Sequence, residues 1–155
     1  NQYLNMAMGL VGEVGELVDL MKKEMYQGHK NPDYAEEIGD ILWYLVNYAR
    51  LMNHSLIFRP TAYKDKLEHI STLLNRVNNI FDGEVYLAQF NTPIKRNLQG
   101  SVLEDLRLLM QDIYSHIITL SDLLKVDLDY AKQHNIDKLQ KRYPQGFDAD
   151  RSVNR

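Results

Sequence analysis

With 155 residues the chain can build one domain around a real core but not two ordinary ones. A hydrophobic share of 45% with 25% charged residues excludes a disordered or collagen-like chain, and a formal net charge of −3 without a long block of either sign speaks against nucleic acid as a partner. Cysteine is absent, which excludes disulfides, thiolate zinc sites and cysteine nucleophiles and fits a reducing, cytoplasmic setting.

Helical periodicity dominates, and Pro32, Pro60, Pro93 and Pro144 fall between periodic stretches. The expected fold is all-α, a bundle of about five helices in a single domain over 1–155, with helices near 3–26, 33–53, 61–81, 101–125 and 127–142. The chain opens on Asn1 rather than Met and shows no signal-like leader, so residues are expected upstream.

The first helix sets Leu10, Val14, Leu17, Val18 and Met21 on one apolar face. Glu13 falls between Leu17 and Leu20 at the edge of that face, and Glu16 lies one step further round. Gly9, Gly12 and Gly15 recur every three residues at ~1 kcal/mol each relative to alanine. Such a stripe serves either close packing against a neighbouring helix or room for a ligand beside the carboxylates.

The "QGHKNP" stretch ends this helix, and Asp33 is a natural cap for the second. There Glu37 and Asp40 share a face with Ile41, Tyr44, Tyr48 and Leu51, while Leu42, Trp43, Leu45, Val46 and Ala49 make the rest apolar too. A helix apolar nearly all round belongs in an interior. The longest apolar run, "ILWYLVNYARLM", is broken by Asn47 and Arg50 and is no membrane span.

Carboxylates on such faces cost several kcal/mol each unless they are paired or bind a metal. Few basic residues share these faces, so a hard divalent cation is the natural partner. Mg²⁺, or Mn²⁺ in its place, suits an all-acid site without His or Cys ligands. A di-metal carboxylate bundle of the oxidoreductase or storage type would add Glu-x-x-His on two helices, and no such motif occurs.

The stretch from 81 to 100, "FDGEVYLAQFNTPIKRNLQG", is the least regular, with room for a short extended segment but no need of a sheet. Residues 40–56 and 112–128 echo one another, matching Asp40 with Asp112, Ile41 with Ile113 and Leu51 with Leu123. Leu109 stands where the second copy would need a counterpart of Glu37, so if a duplication exists its carboxylate site has been lost. Residues 57–122 are thus either a helical insertion or a degenerate repeat, between a helix pair over 1–54 and a C-terminal helix and tail over 123–155.

The spacing of Glu13, Glu16, Glu37 and Asp40, with 20 residues between the two pairs, resembles the E-x-x-E, spacer, E-x-x-D signature of MazG-like all-α nucleoside triphosphate pyrophosphohydrolases. The similarity runs through "GLVGEVGELVDLMKK" and "EEIGDILWYL" within residues 6–54 and resumes at "NIDKLQKRYPQGF", residues 135–147. It implies hydrolysis of a nucleoside triphosphate, a dNTP or an aberrant NTP, to the monophosphate and pyrophosphate. Glu13, Glu16, Glu37 and Asp40 would hold Mg²⁺ that activates a water for attack on phosphorus, with one of them, Glu16 for example, as general base in place of a ligand.

The same resemblance points to Lys22, Lys23, Lys138 and Arg142 for the phosphates, with Asn135 as a hydrogen-bonding partner. Lys138 and Arg142 stand four apart on one helix face, as a phosphate clamp needs. Tyr44 and Tyr48, on the carboxylate face, are candidates for stacking on a base, and His29 for reaching phosphate or sugar; Trp43 points away and reads as packing. His54, His69, His116 and His134 show no metal-ligand spacing and read as structural or surface residues. Related proteins pair subunits around the site, so a homodimer or higher oligomer is expected, with no nucleic-acid or membrane partner. The rival function is a catalytically inactive helical module that binds nucleotides or proteins.

Overall fold

The computed structural model describes residues 1–62, 65–89 and 100–146. Five helices and no strand occupy them, as the periodicity leads one to expect: α1 (Gln2–Tyr26), α2 (Tyr34–Leu51), α3 (Lys66–Ala88), α4 (Gly100–Leu123) and α5 (Leu128–Arg142). Four of these starts are capped by side chains. Asn1 accepts from the Leu4 N–H, Asp33 from Glu36, Asp65 from Leu67 and Asp127 from Tyr130. Each cap satisfies one of the amides a helix start leaves orphaned.

The four long helices close a ring of contacts: α1 packs on α2 and α3, α3 on α4, and α4 back on α2. Inside it lie Leu10, Leu17, Ile38, Leu45, Leu73, Ile80, Met110 and Ile117, all fully buried. At roughly 1.5–3 kcal/mol for each large apolar side chain, this cluster supplies the driving force for the bundle. The short α5 lies outside the ring and packs on α2. The loop after α2 is strapped along α4, where the Ile57 N–H donates to Gln111 Oε1 (2.9 Å) and the Arg59 N–H to Ser115 Oγ (3.0 Å).

The third helix is displaced from its expected span, starting later than 61 and running on to Ala88 rather than ending near 81. Gly83 resembles a helix end in sequence but marks a close approach, since a Cβ there would sit 2.9 Å from Leu106 Cδ2 on α4. Ile80, Glu84 and Leu87 are buried and carry the helix onward past its expected end. The remainder of the irregular stretch, with its Pro93, lies outside the described residues, as does Phe147.

Candidate functional site

The acid cluster forms where α1 crosses α2. Glu13 from α1 and Glu37 and Asp40 from α2 each offer a carboxylate oxygen, all within 4.8 Å of one another. The three are half-buried, and Glu37 Oε2 is cut off from solvent with no hydrogen-bond partner. Burial, then a hydrogen bond with Glu13 and the charges of Glu13, Asp40 and Glu16, push the Glu37 pKa up to about 8. Burial, with the charge of Asp40 behind it, also raises Glu13. Glu13 thus disfavours the charge of Glu37 across the crossing.

The C-terminal helix completes the site. Asn135, buried on α5, donates its amide to Asp40 Oδ1 (2.6 Å), and Lys138 Nζ lies 2.5 Å from the same oxygen and 3.4 Å from Glu36 Oε1. Burial works against the Lys138 ammonium, but the hydrogen bond and charge of Asp40 outweigh it and hold its pKa above the ordinary lysine value. These contacts need α5 very near α2, and Gly39 provides the room. A Cβ there would lie 2.6 Å from the Ala131 carbonyl oxygen and 3.2 Å from Asn135 Cβ.

Between these helices opens a pocket of about 270 Å³. Glu13 and Asp40 line it on one side, Asn135, Lys138 and Arg142 on another, and Trp43 and Tyr44 supply aromatic wall. Tyr44 meets Trp43 edge-on, with ring centroids 5.0 Å apart at 89°. The Tyr44 ring occupies the space a side chain at Gly9 would need, whereas Cβ atoms at Gly12 or Gly15 would meet nothing within 4 Å. Packing therefore explains the first glycine of the stripe and not the other two.

The other sequence candidates stand apart from the pocket. Glu16 is exposed and outside the three-acid cluster, though near enough for its charge to act on Glu13 and Glu37. Lys23 and Lys22 pair with Asp19 at 2.8 Å and 3.2 Å on the outer face of α1, and His29 is exposed in the loop after it. Tyr48 is fully buried, with its hydroxyl donating to Glu84 Oε2 (2.5 Å), so it packs behind the site instead of lining it. Trp43 reaches the lining that its angle on a helical wheel denies it, because the pocket is bounded by α5 as well as α1.

Two further clusters escaped the sequence. Asp33, Glu36 and His134 gather where the start of α2 meets α5, on more open ground than the first cluster, with His134 stacked on Tyr130. Between α3 and α4, His69 and His116 face each other Nδ1 to Nδ1 at 2.9 Å, both buried, while Asp112 lies 3.4 Å from His116 Nε2 and 2.7 Å from Arg76 Nε. Spacing along the chain could not signal this pair, because the partners come from different helices. The tripeptide "GEV" at 83–85 in α3 repeats "GEV" at 12–14 in α1.

Fold and site together define an all-α protein with an acid-lined, aromatic-walled pocket at a helix crossing. Residues 1–67 match the family model of the MazG nucleotide pyrophosphohydrolase domain, which spans Glu13, Glu16, Glu37 and Asp40 and covers fewer than half of the chain's residues. Over α1 and α2 the chain is MazG-like. The α5 segment, which supplies Asn135 and Lys138, lies beyond the matched residues. Searches of curated proteins and of solved structures returned no match.

Proposed function

We propose that the protein hydrolyses a nucleoside triphosphate, a dNTP or an aberrant NTP, to the monophosphate and pyrophosphate with the help of Mg²⁺ or Mn²⁺. The observation that carries this is the Glu37 oxygen, buried without a partner inside a three-carboxylate cluster that opens on a basic and aromatic pocket. An orphaned carboxylate oxygen among close-set acids is unfavourable as it stands, and a hard cation with oxygen preference relieves it. Glu13, Glu37 and Asp40 fit such an ion. Bound there, it would supply charge neutralisation for the triphosphate and a water of lowered pKa.

The chain's own residues divide the remaining work. Asn135 fixes the Asp40 carboxylate by its amide. Arg142 and Lys138 bring positive charge to the side of the pocket facing the acids, where phosphates would lie. Trp43 and Tyr44 offer a flat apolar wall for a base. Glu16, exposed at the edge, is placed to assist a water as base or as an outer ligand, while Lys23, His29 and Tyr48 receive no direct contact with substrate in this proposal.

We further take α3 and α4 as a degenerate copy of α1 and α2. The closed four-helix ring supports this, as does Asp112, which echoes Asp40 in sequence but is neutralised by Arg76. Such a chain makes internally part of what a partner subunit would otherwise provide, and assembly into a homodimer or higher oligomer belongs to the proposal. No helix of the described residues is long and apolar enough to cross a membrane.

Pyrophosphate release from a panel of standard and modified (d)NTPs with Mg²⁺ tests the function. Turnover of at least one of them, lost in Glu37→Gln, is expected. Nucleotide binding without any turnover would replace the enzyme by the inactive binding module.

A further inference from the structure

Asp40 Oδ1 accepts from both the Asn135 amide (2.6 Å) and the Lys138 ammonium (2.5 Å), so one of its two carboxylate oxygens is already engaged by α5. The Lys138 side chain is 15% exposed and that of Asp40 17%, so this pair is only weakly screened by solvent and salt. The ammonium thus neutralises one acid of a cluster in which three carboxylates lie within 4.8 Å of one another. A divalent ion bound through either Asp40 oxygen would come to rest within a few ångströms of this positive charge, so ammonium and ion compete for the same carboxylate.

We infer that Lys138 is an internal counter-cation that competes with the divalent metal for Asp40 and yields its place when the metal is loaded. Glu36 Oε1, 3.4 Å from the ammonium, gives it a second carboxylate to rest on without leaving the helix crossing. Asn135 sits one turn earlier on the same face of α5 and keeps that helix docked on Asp40 while the ammonium moves. Two consequences follow. The metal-free site is held shut by a residue of its own chain, and the displaced Lys138 faces the pocket in which a phosphate chain would lie. Metal alone therefore binds weakly, and an anionic ligand that receives the ammonium favours loading.

This inference rests on the proposed metal site at Glu13, Glu37 and Asp40, and the test separates the two. Titration calorimetry of the full chain with MnCl₂ and MgCl₂, without nucleotide, is carried out on the wild type, Lys138→Met, Lys138→Gln, Lys138→Arg and Glu37→Gln. The metal-induced rise in unfolding midpoint serves as a second readout. Removing the competing charge is expected to tighten metal binding by about tenfold or more in both Lys138→Met and Lys138→Gln, with Lys138→Arg close to wild type. Equal or weaker metal affinity in the two neutral variants, with binding still lost in Glu37→Gln, overturns the counter-cation and leaves the metal site standing. Metal binding that is absent throughout, or indifferent to Glu37→Gln, removes the metal site and the inference with it.

Discussion

Glu37 has a carboxylate that the folded chain prefers to keep protonated, since burial and the neighbouring Glu13 and Asp40 disfavour its charge. A group whose pKa is raised on folding stabilises the native state below its unfolded value of 4.5 and loses that contribution as pH climbs through about 8. In the absence of divalent ions, the Glu37→Gln variant should match the wild type near pH 4.5 and become progressively more stable than it up to pH 8. Urea unfolding of the two proteins across that range in chelator checks the trend. Tyr48→Phe acts on a different acid, removing the hydroxyl that donates to the fully buried Glu84. A loss of ~1–3 kcal/mol in unfolding free energy is expected there, with the helix content unchanged.

At this scale the sequence pattern separates the side chains that converge at the crossing only in part. Glu13, Glu37 and Asp40 were legible because acids on the apolar faces of two neighbouring helices need a counter-charge that those faces lack. Glu16 stood in the same pattern, yet the extra rotation along α1 carries it out to solvent, and only the crossing of α1 with α2 decides which acids converge. Tyr44 and Tyr48 share a face, but one helical turn separates them along the axis, enough to place the first in the pocket and the second beneath α3.

The contact between α2 and α5 depends on Gly39, whose missing side chain lets the Ala131 carbonyl approach. Gly39→Ala should force the helices apart, lower stability by ~1–3 kcal/mol and weaken the hold of Asn135 and Lys138 on Asp40. Gly12→Ala meets open space and should instead stabilise α1 by up to ~1 kcal/mol. Thermal unfolding of the two variants distinguishes a packing glycine from an idle one. Gly39 gave no local signal because its reason is a backbone atom on α5, far along the chain.

The α3–α4 pair carries its own titratable link. Burial lowers the His116 pKa despite the opposing charge of Asp112, with the charges of His69 and Arg76 adding to the lowering. A histidine with a depressed folded pKa contributes stability above its unfolded value of 6.5 and loses it as pH falls through the folded one. The stability of the wild type relative to His116→Gln should therefore narrow from pH 7 to pH 5, as followed by circular dichroism at 222 nm.

For the whole molecule, the all-α architecture could be read directly from periodicity, since five helices match the expected spans at most of their ends. The ring that joins α1–α2 to α3–α4 could not, because the echo between 40–56 and 112–128 is diluted by amphipathic repetition and by Leu109 standing where Glu37 would have its counterpart. Asp112, the residue that echoes Asp40, is held in an ion pair with Arg76. Under the proposed function the chain concentrates its chemistry at the α1–α2 crossing and leaves the α3–α4 crossing to structure. Pyrophosphate release in the presence of Mg²⁺, compared between the wild type and Glu37→Gln on the (d)NTP panel, tests that division most directly. Release by the wild type with a loss of about a hundredfold or more in a variant that keeps its helical spectrum is the predicted result. Equal rates in the two proteins would contradict it.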